Sequence, residues 1–236
     1  MADLLDDVPE RVLAVYAHPD DPDVSCGGTL ARWARAGAEV HTLVCTNGDK
    51  GTLDASVDPA ELARRRVAEV EEAAAVLGLA GHYVLGYGDG ELADDAALRG
   101  ELVVWIRRIR PTMVLGHDPT AVFFGEEYFN HRDHRVTGYA VLDALSPGAA
   151  LPHYFPDAGP AHQVEEALLS GTLEPNVWVD VTSTIDDKAK AVSCHRSQFT
   201  DDGEWARRAV RERAIEDGRR VGVAYAESFR RLRLGG

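Results

Sequence analysis

Along this chain, apolar runs of strand length alternate with segments whose apolar residues recur every three or four positions. Residues 12–17, Val-Leu-Ala-Val-Tyr-Ala, form the first run, and Pro19 ends it because proline cannot continue a sheet ladder. The turn forced there leaves His18, Asp20 and Asp21 at a strand's end. Gly27-Gly28-Thr29 is expected to open a helix reaching Ala36, with Leu30, Trp33 and Ala34 on one face and Gly37 as its stop. Residues 40–45 read as a second strand and 83–85 as a third. Between them, Asp58 and Pro59 give an N-cap and a first-turn proline to a helix that ends at Gly78. A helix over 98–109 is closed by Arg110-Pro111, residues 113–116 make a fourth strand, and His117-Asp118-Pro119 follows it.

Strand and helix alternating at this spacing imply right-handed βαβ crossovers. The expected fold class is α/β, a Rossmann-like three-layer sandwich with a mostly parallel sheet and its active site at the C-terminal ends of the strands. Beyond Asp143 the pattern loosens. Residues 146–160 are rich in Pro, Gly and Ala and are expected to run over the surface, 176–181 to form a strand, and 183–195 a helix. Residues 204–234 are strongly charged and Arg-rich and read as helical for much of their length. With no internal repeat or linker, one domain over 1–236 is expected, ending in a helical extension over about 200–236.

Composition narrows the partners. The 236 residues are 45% hydrophobic and 27% charged, enough apolar material for a sizeable core. Against 39 acidic residues stand 25 basic ones, and the net charge of −14 argues against nucleic acid or an anionic membrane. Cys26, Cys45 and Cys194 are odd in number and have no CxxC spacing, so buried thiols in a reducing compartment are expected rather than disulfides. Residues 1–10 lack a basic segment followed by an apolar one, and no stretch approaches the ~20 apolar residues of a membrane span. A cytoplasmic protein is the expectation.

A second polar cluster, Tyr-Phe-Asn-His-Arg-Asp-His-Arg over 128–135, precedes an apolar helical pattern containing Val136, Tyr139, Ala140 and Leu142. If the cluster starts that helix, His131 and His134 are i, i+3 and share a face. A His₂Asp donor set with one position open to water suits a catalytic zinc ion. His18 and Asp21 plus one histidine of this helix would complete such a set. Either cluster alone reads equally well as surface His and Asp at a helix start; the pair favours a metal site.

Ala17-His18-Pro19-Asp20-Asp21 together with His131-Arg132-Asp133-His134 resembles the paired motifs of the LmbE-like, or PIG-L, zinc-dependent N-deacetylases. That family removes acetyl groups from N-acetylglucosamine derivatives. The likeness extends through Gly27-Gly28-Thr29, Thr46-Asn47-Gly48, Arg66-Val67-Ala68-Glu69, Leu85-Gly86 with Asp89, and His195-Arg196-Ser197-Gln198, about residues 12–199 in all. It implies one zinc ion per chain on His18, Asp21 and His134, with Asp20 as general base. His131 is then the group that stabilises the oxyanion or protonates the leaving amine. Asp133 is expected either to orient an imidazole from behind or to pair with Arg132 or Arg135. The resemblance also implies sugar contacts by Arg66 and Asp89, a small N-acetylated amino-sugar substrate and a homo-oligomer. His195 is open between fixing a helix end and reaching the site.

Two positions depart from the family pattern. Pro22 stands where glutamate usually follows the first motif, and Phe129 stands where some members carry a catalytic tyrosine. Tyr128, one residue away, is expected to point elsewhere if the segment is regular. The expected function is zinc-dependent removal of an acetyl group from an N-acetylglucosamine-type sugar or conjugate. Its alternatives are an amidase of a larger thiol-sugar conjugate and a catalytically idle sugar- or metal-binding module. A dinucleotide enzyme is disfavoured because no GxGxxG follows the first strand.

Overall fold

The computed structural model describes residues 3–126, 128–199 and 203–234. The first half runs β1 (Asp3–Leu4), β2 (Arg11–Tyr16), α1 (Asp21–Arg35), β3 (Glu39–Thr46), α2 (Pro59–Leu77), β4 (Gly81–Tyr87), α3 (Ala96–Ile109) and β5 (Met113–His117). A small antiparallel pair follows, β6 (Phe123–Phe124) and β7 (Tyr128–Phe129). Then come α4 (Arg132–Asp143), β8 (Glu166–Ser170), β9 (Val177–Asp180), α5 (Ile185–Val192), α6 (Glu204–Val221) and β10 (Ala226–Arg233). Among the described residues, eight strands make one sheet in the order β1-β9-β10-β8-β5-β2-β3-β4. Every pairing is parallel except those of β10. The mostly parallel α/β architecture expected from the alternation is the one found.

β2 shows why the apolar runs are continuous rather than alternating. Val12, Ala14 and Tyr16 face a core with Leu30 and Trp33 of α1 and Leu77 of α2. Leu13 and Val15 face the opposite core, with Leu98, Leu102 and Ile106 of α3 and Val141 of α4. A strand covered by helices on both faces has no solvated side to mark with polar residues. Each such fully buried Leu or Val contributes roughly 1.5–3 kcal/mol. Local stops behave as their chemistry requires: Asp58 accepts from the amides of Ala60 and Glu61 at the start of α2, and Gly78 ends it at φ 73°.

α1 begins six residues before the expected Gly27. Asp20 is its N-cap, and Pro22 sits in the first turn, where a missing N–H costs nothing. The expected opening at Gly27 coincides with a break in the helix, because Cys26 is non-helical at φ −143°. Past the break, the amides of Gly28 and Thr29 donate to Glu227 of β10 at 3.0 and 2.8 Å. Lys188 of α5 donates to the same carboxylate at 2.5 Å. A Cβ on Gly28 would lie 2.8 Å from the Cβ of Val181, so only glycine lets α1 approach β9's end this closely.

The last third of the expected helical extension is corrected. α6 stops at Gly222 (φ 77°), and the chain returns as β10, antiparallel between β8 and β9. Its Arg residues suggested a solvated helix, but Arg231 pairs with Glu166 of β8 at 2.5 Å and Arg230 with Glu174. Residues 200–202 and 235–236 of that extension lie outside the described residues. The surface excursion is also anchored at its start, where Ala144, Leu145, Gly148 and Ala149 are buried. Arg107 of α3, itself buried, donates to the carbonyls of Gly148, Ala149, Leu151, Tyr154, Phe155 and Gly159. No carboxylate faces that guanidinium among these bonds; carbonyl dipoles carry its charge. Among the described residues, no helix is long and apolar enough to cross a membrane.

Candidate active site

Parallel strands deliver their C-terminal ends to one edge, and the polar clusters meet there. β2 leads to His18, Asp20 and Asp21, β4 to Asp89 and Gly90, β5 ends in His117, and His131 is the N-cap of α4. His18 Nδ1 lies 3.1 Å from His134 Nε2 and 3.2 Å from Asp21 Oδ2. His134 Nε2 is 3.2 Å from Asp21 Oδ1. Tetrahedral zinc with bonds of about 2.0–2.1 Å separates its ligand atoms by about 3.3 Å; the two imidazole nitrogens lie near that spacing from each other, and each lies near it from a different oxygen of Asp21. The groups His18/His131/His134, Asp21/His117/His134 and His18/Asp89/Asp133 also bring possible donor atoms within 4.8 Å of one another. They overlap at His18 and His134, so one cluster of candidate metal ligands underlies them.

Hydrogen bonds set the imidazoles for that task. His134 Nδ1 donates to the side-chain carbonyl of Asn130 at 2.9 Å, leaving the Nε2 lone pair toward Asp21 and His18. His18 Nε2 faces Asp89 Oδ1 at 3.2 Å and Asp133 Oδ2 at 3.7 Å. Burial opposes a proton on His18, but Asp21, then Asp133 and Asp89, outweigh it and push its pKa up to about 12. A metal ion taken up at Nδ1 would have to displace that proton from this anionic cage. Burial likewise opposes charge on Asp21, yet the imidazoles of His134, His18 and His117 hold its carboxyl well below the usual range.

Asp133 is fully buried and accepts from the amide of Gly90 at 2.6 Å. It therefore stands behind His18 and also 3.6 Å from Arg132, so both expected contacts occur together. Asp20 is held at one oxygen by Arg66 Nη2 at 2.8 Å, and its other oxygen has no hydrogen-bond partner among the described residues. Arg66 is buried and also donates to the carbonyl of Gly48 at 3.1 Å. Gly48, at φ 65°, is wrapped so tightly on that guanidinium that a Cβ would come within 3.0 Å of three of its atoms. Arg64 turns the other way, to Glu61, with Arg65 nearby. Asp89 keeps one oxygen on His18, whose hydrogen bond lowers its pKa. Lys50 fastens the loop after β4 through the Asp89 carbonyl and Glu91.

As an N-cap, His131 accepts the Asp133 amide at Nδ1, 3.2 Å away. Burial, then the charge of His18, pushes its pKa down, and the neutral ring carries its hydrogen on Nε2. His131 lines a cavity of about 310 Å³ with His18, Asp20, Arg66, Asp89 and Gln198. Such a group is an N–H donor beside a carboxylate with a free oxygen.

Three residues were outside the expected site. His117 Nε2 lies 3.3 Å from Asp21 Oδ2, and its ring stacks on His134 at 4.1 Å. Its position at the end of an apolar strand is the signal that singled out His18. Asn130 had no signal beyond adjacency to His131. Tyr128 was expected to point away, but it lines the same cavity as His131. The β6–β7 register pairs it with Phe124, and the two strands are only two residues long, so a regular helix or long strand does not set its direction.

His195, fully buried, fixes α1 rather than reaching the cavity: its Nε2 lies 2.6 Å from Asp23 Oδ2. Burial opposes its proton, but the hydrogen bond and charge of Asp23 raise its pKa above 6.5. A folded-state pKa above the unfolded one gives stability that is complete below that unfolded value and lost as pH rises through the folded one. The stability advantage of the native protein over His195→Gln should therefore be full below the unfolded histidine value of about 6.5 and shrink as pH rises above it. Urea midpoints read it; a pH-independent difference would contradict the ion pair.

Comparison with known proteins follows the same lines. Residues 13–145 match the family model PIG-L, GlcNAc-PI de-N-acetylase. The diacetylchitobiose deacetylase of Thermococcus kodakarensis is 35% identical over 226 residues, 94% of this chain and 82% of the relative. A 1D-myo-inositol 2-acetamido-2-deoxy-alpha-D-glucopyranoside deacetylase of Rhodococcus jostii is 30% identical, over 80% of this chain and 82% of its own length. Among solved structures, inhibitor-bound N,N'-diacetylchitobiose deacetylase from Pyrococcus horikoshii superposes with a TM-score of 0.86 at 34% identity, over 95% of this chain and 84% of that one. With more than half its length matched by the family model, this chain belongs to the PIG-L (LmbE-like) family.

Proposed function

We propose that this protein is a zinc-dependent N-deacetylase acting on an N-acetylglucosamine-type sugar or its conjugate. The observation that carries the reading is the His18, Asp21 and His134 triangle, with edges of 3.1–3.2 Å, set beside Asp20 and His131. Deacetylase relatives at 30–35% identity support the reaction class. The donor chemistry fits zinc: two imidazole nitrogens with lone pairs freed by Asn130 and Asp89, and one carboxylate. When bound there, zinc supplies Lewis acidity and brings the pKa of a coordinated water to about 7.

The chain's own residues then divide the work. Asp20, anchored by Arg66, uses its free oxygen to take the proton of the attacking water. His131 Nε2–H donates to the acetyl oxygen as charge grows on it. The C–N bond breaks as the nitrogen receives the proton that Asp20 took from the water, giving acetate and a free amine. Asp89 and Arg66 line the cavity and are the proposed sugar contacts, Asp89 through the oxygen His18 does not use. Asp133 holds the far side of His18. A symmetric homo-oligomer in the cytoplasm completes the proposal.

Acetate release from a panel of N-acylated glucosamines and larger thiol-sugar conjugates, with zinc restored after chelation, tests the reading. Acetate from the acetylated sugars is expected. Preference for the conjugates would favour the larger-amide alternative, and binding of the sugars without acetate release would show an idle binding module.

Asn130→Ala should weaken zinc binding by about 10- to 100-fold, because His134 loses the acceptor that orients it. Competition with a chelating dye reads the affinity, and unchanged affinity would remove Asn130 from the site.

A further inference from the structure

The cavity around Asp20 has a neighbour on the other side of the metal triangle. This second hollow, about 320 Å³, is lined by Val24, Ser25, Phe124, Tyr128, Ser170 and Arg213. Asp21, Tyr128 and His134 line both hollows, so they are two arms of one groove that meet where the acetyl group would be cut. An acetyl methyl is about the size of a water molecule, roughly 30 Å³, and does not require an arm of that volume. Ligand sites for whole ring systems start at about 300 Å³.

The second arm also has its own chemistry. Phe124 and Tyr128 form a wall, their rings 5.6 Å apart and tilted by 40°. The Ser25 hydroxyl and the Arg213 guanidinium also line it, with the charge of Arg213 acting on Asp217 one helical turn away. Aromatic rings and hydrogen-bond donors lining one hollow suit a ring with an apolar C–H face and a rim of hydroxyl oxygens.

We propose that this arm is the subsite for the hydroxyl-rich ring bonded to the acetylated glucosamine, with Phe124 and Tyr128 against its face and Arg213 on its oxygens. The inference rests on the deacetylase reading and adds where the rest of the substrate lies. Arg213 belongs to α6, outside the 13–145 segment matched by the family model. The C-terminal helix thus acts with Phe124 and Tyr128 of the matched segment to select what the sugar is attached to.

Acetate release from N-acetylglucosamine, N-propionylglucosamine (as propionate) and N,N'-diacetylchitobiose, by the native protein, Arg213→Ala and Phe124→Ala, tests the subsite. Arg213 is exposed, so its replacement does not threaten folding. The disaccharide should exceed the monosaccharide in kcat/KM, and each variant should lower that ratio, by about tenfold for Arg213, the value of one charged hydrogen bond. The loss should fall mainly on KM. Equal kcat/KM for the two sugars, or a ratio unchanged in both variants, would overturn the subsite while leaving the deacetylase intact. A changed acetyl-to-propionyl preference with an unchanged sugar ratio would make the arm an acyl pocket and also overturn it. No acyl release from any substrate by the native, zinc-loaded protein would instead overturn the deacetylase reading itself.

Discussion

Asp20→Asn should lower kcat by about 10²- to 10⁴-fold while zinc stays bound. The substitution keeps size and shape, and the amide oxygen can still accept from Arg66 Nη2, which the native carboxylate meets at 2.8 Å. What disappears is the basic oxygen proposed to take a proton from water. Asp21, the adjacent residue, keeps its contacts to His18, His117 and His134, so the proposed zinc ligands are untouched. Arg66 is buried and loses a charged partner, so some stability should go as well. Metal content, melting temperature and single-turnover acetate release separate these effects. A folded, zinc-loaded variant with native turnover would remove Asp20 as the base.

Glu227→Ala should cost about 3–5 kcal/mol in unfolding free energy. Glu227 and Lys188 side chains are each 4% exposed, and their charges meet at 2.5 Å. Deleting the carboxylate strands a buried ammonium and also leaves the amides of Gly28 and Thr29 without their acceptor. Removing Lys188 as well should recover only part of the loss, since the two amides stay orphaned. α1 begins with the Asp20 and Asp21 turn, so loosening its break should also weaken metal binding. Denaturant unfolding of both variants checks this, and a loss below about 1 kcal/mol for Glu227→Ala would contradict the capping of the broken helix by β10.

What could be read from the sequence was what is encoded within a few residues. The Val12 to Tyr16 run, the Asp58-Pro59 start and Gly78 stop of α2, and the polar residues after β2 each carry their own local chemistry. The two halves of the site could be paired because each held histidine and carboxylate at an element's end. The structure brings His18, Asp21 and His134 into one triangle and Asp20, Arg66, Asp89 and His131 around one cavity. β10 escaped because its Arg231 is neutralised by Glu166, 65 positions away, a pairing that no local pattern records. β8 is five residues long and follows an irregular stretch, so it lacked boundaries. The break at Cys26 was invisible for the same reason, since its cap comes from Glu227. Arg107 looked like an ordinary charged residue late in a helix, and only the chain folding back over 148–159 turns it into an anchor.

The most direct test of the central claim is acetate release from N,N'-diacetylchitobiose by chelator-stripped protein titrated with zinc, with His134→Ala alongside. Activity should be absent in the stripped protein, rise in proportion to zinc and saturate at one ion per chain, and His134→Ala should stay inactive at the same zinc levels. Full turnover by the stripped protein, or native activity in His134→Ala, would contradict a metal-dependent deacetylase centred on His18, Asp21 and His134.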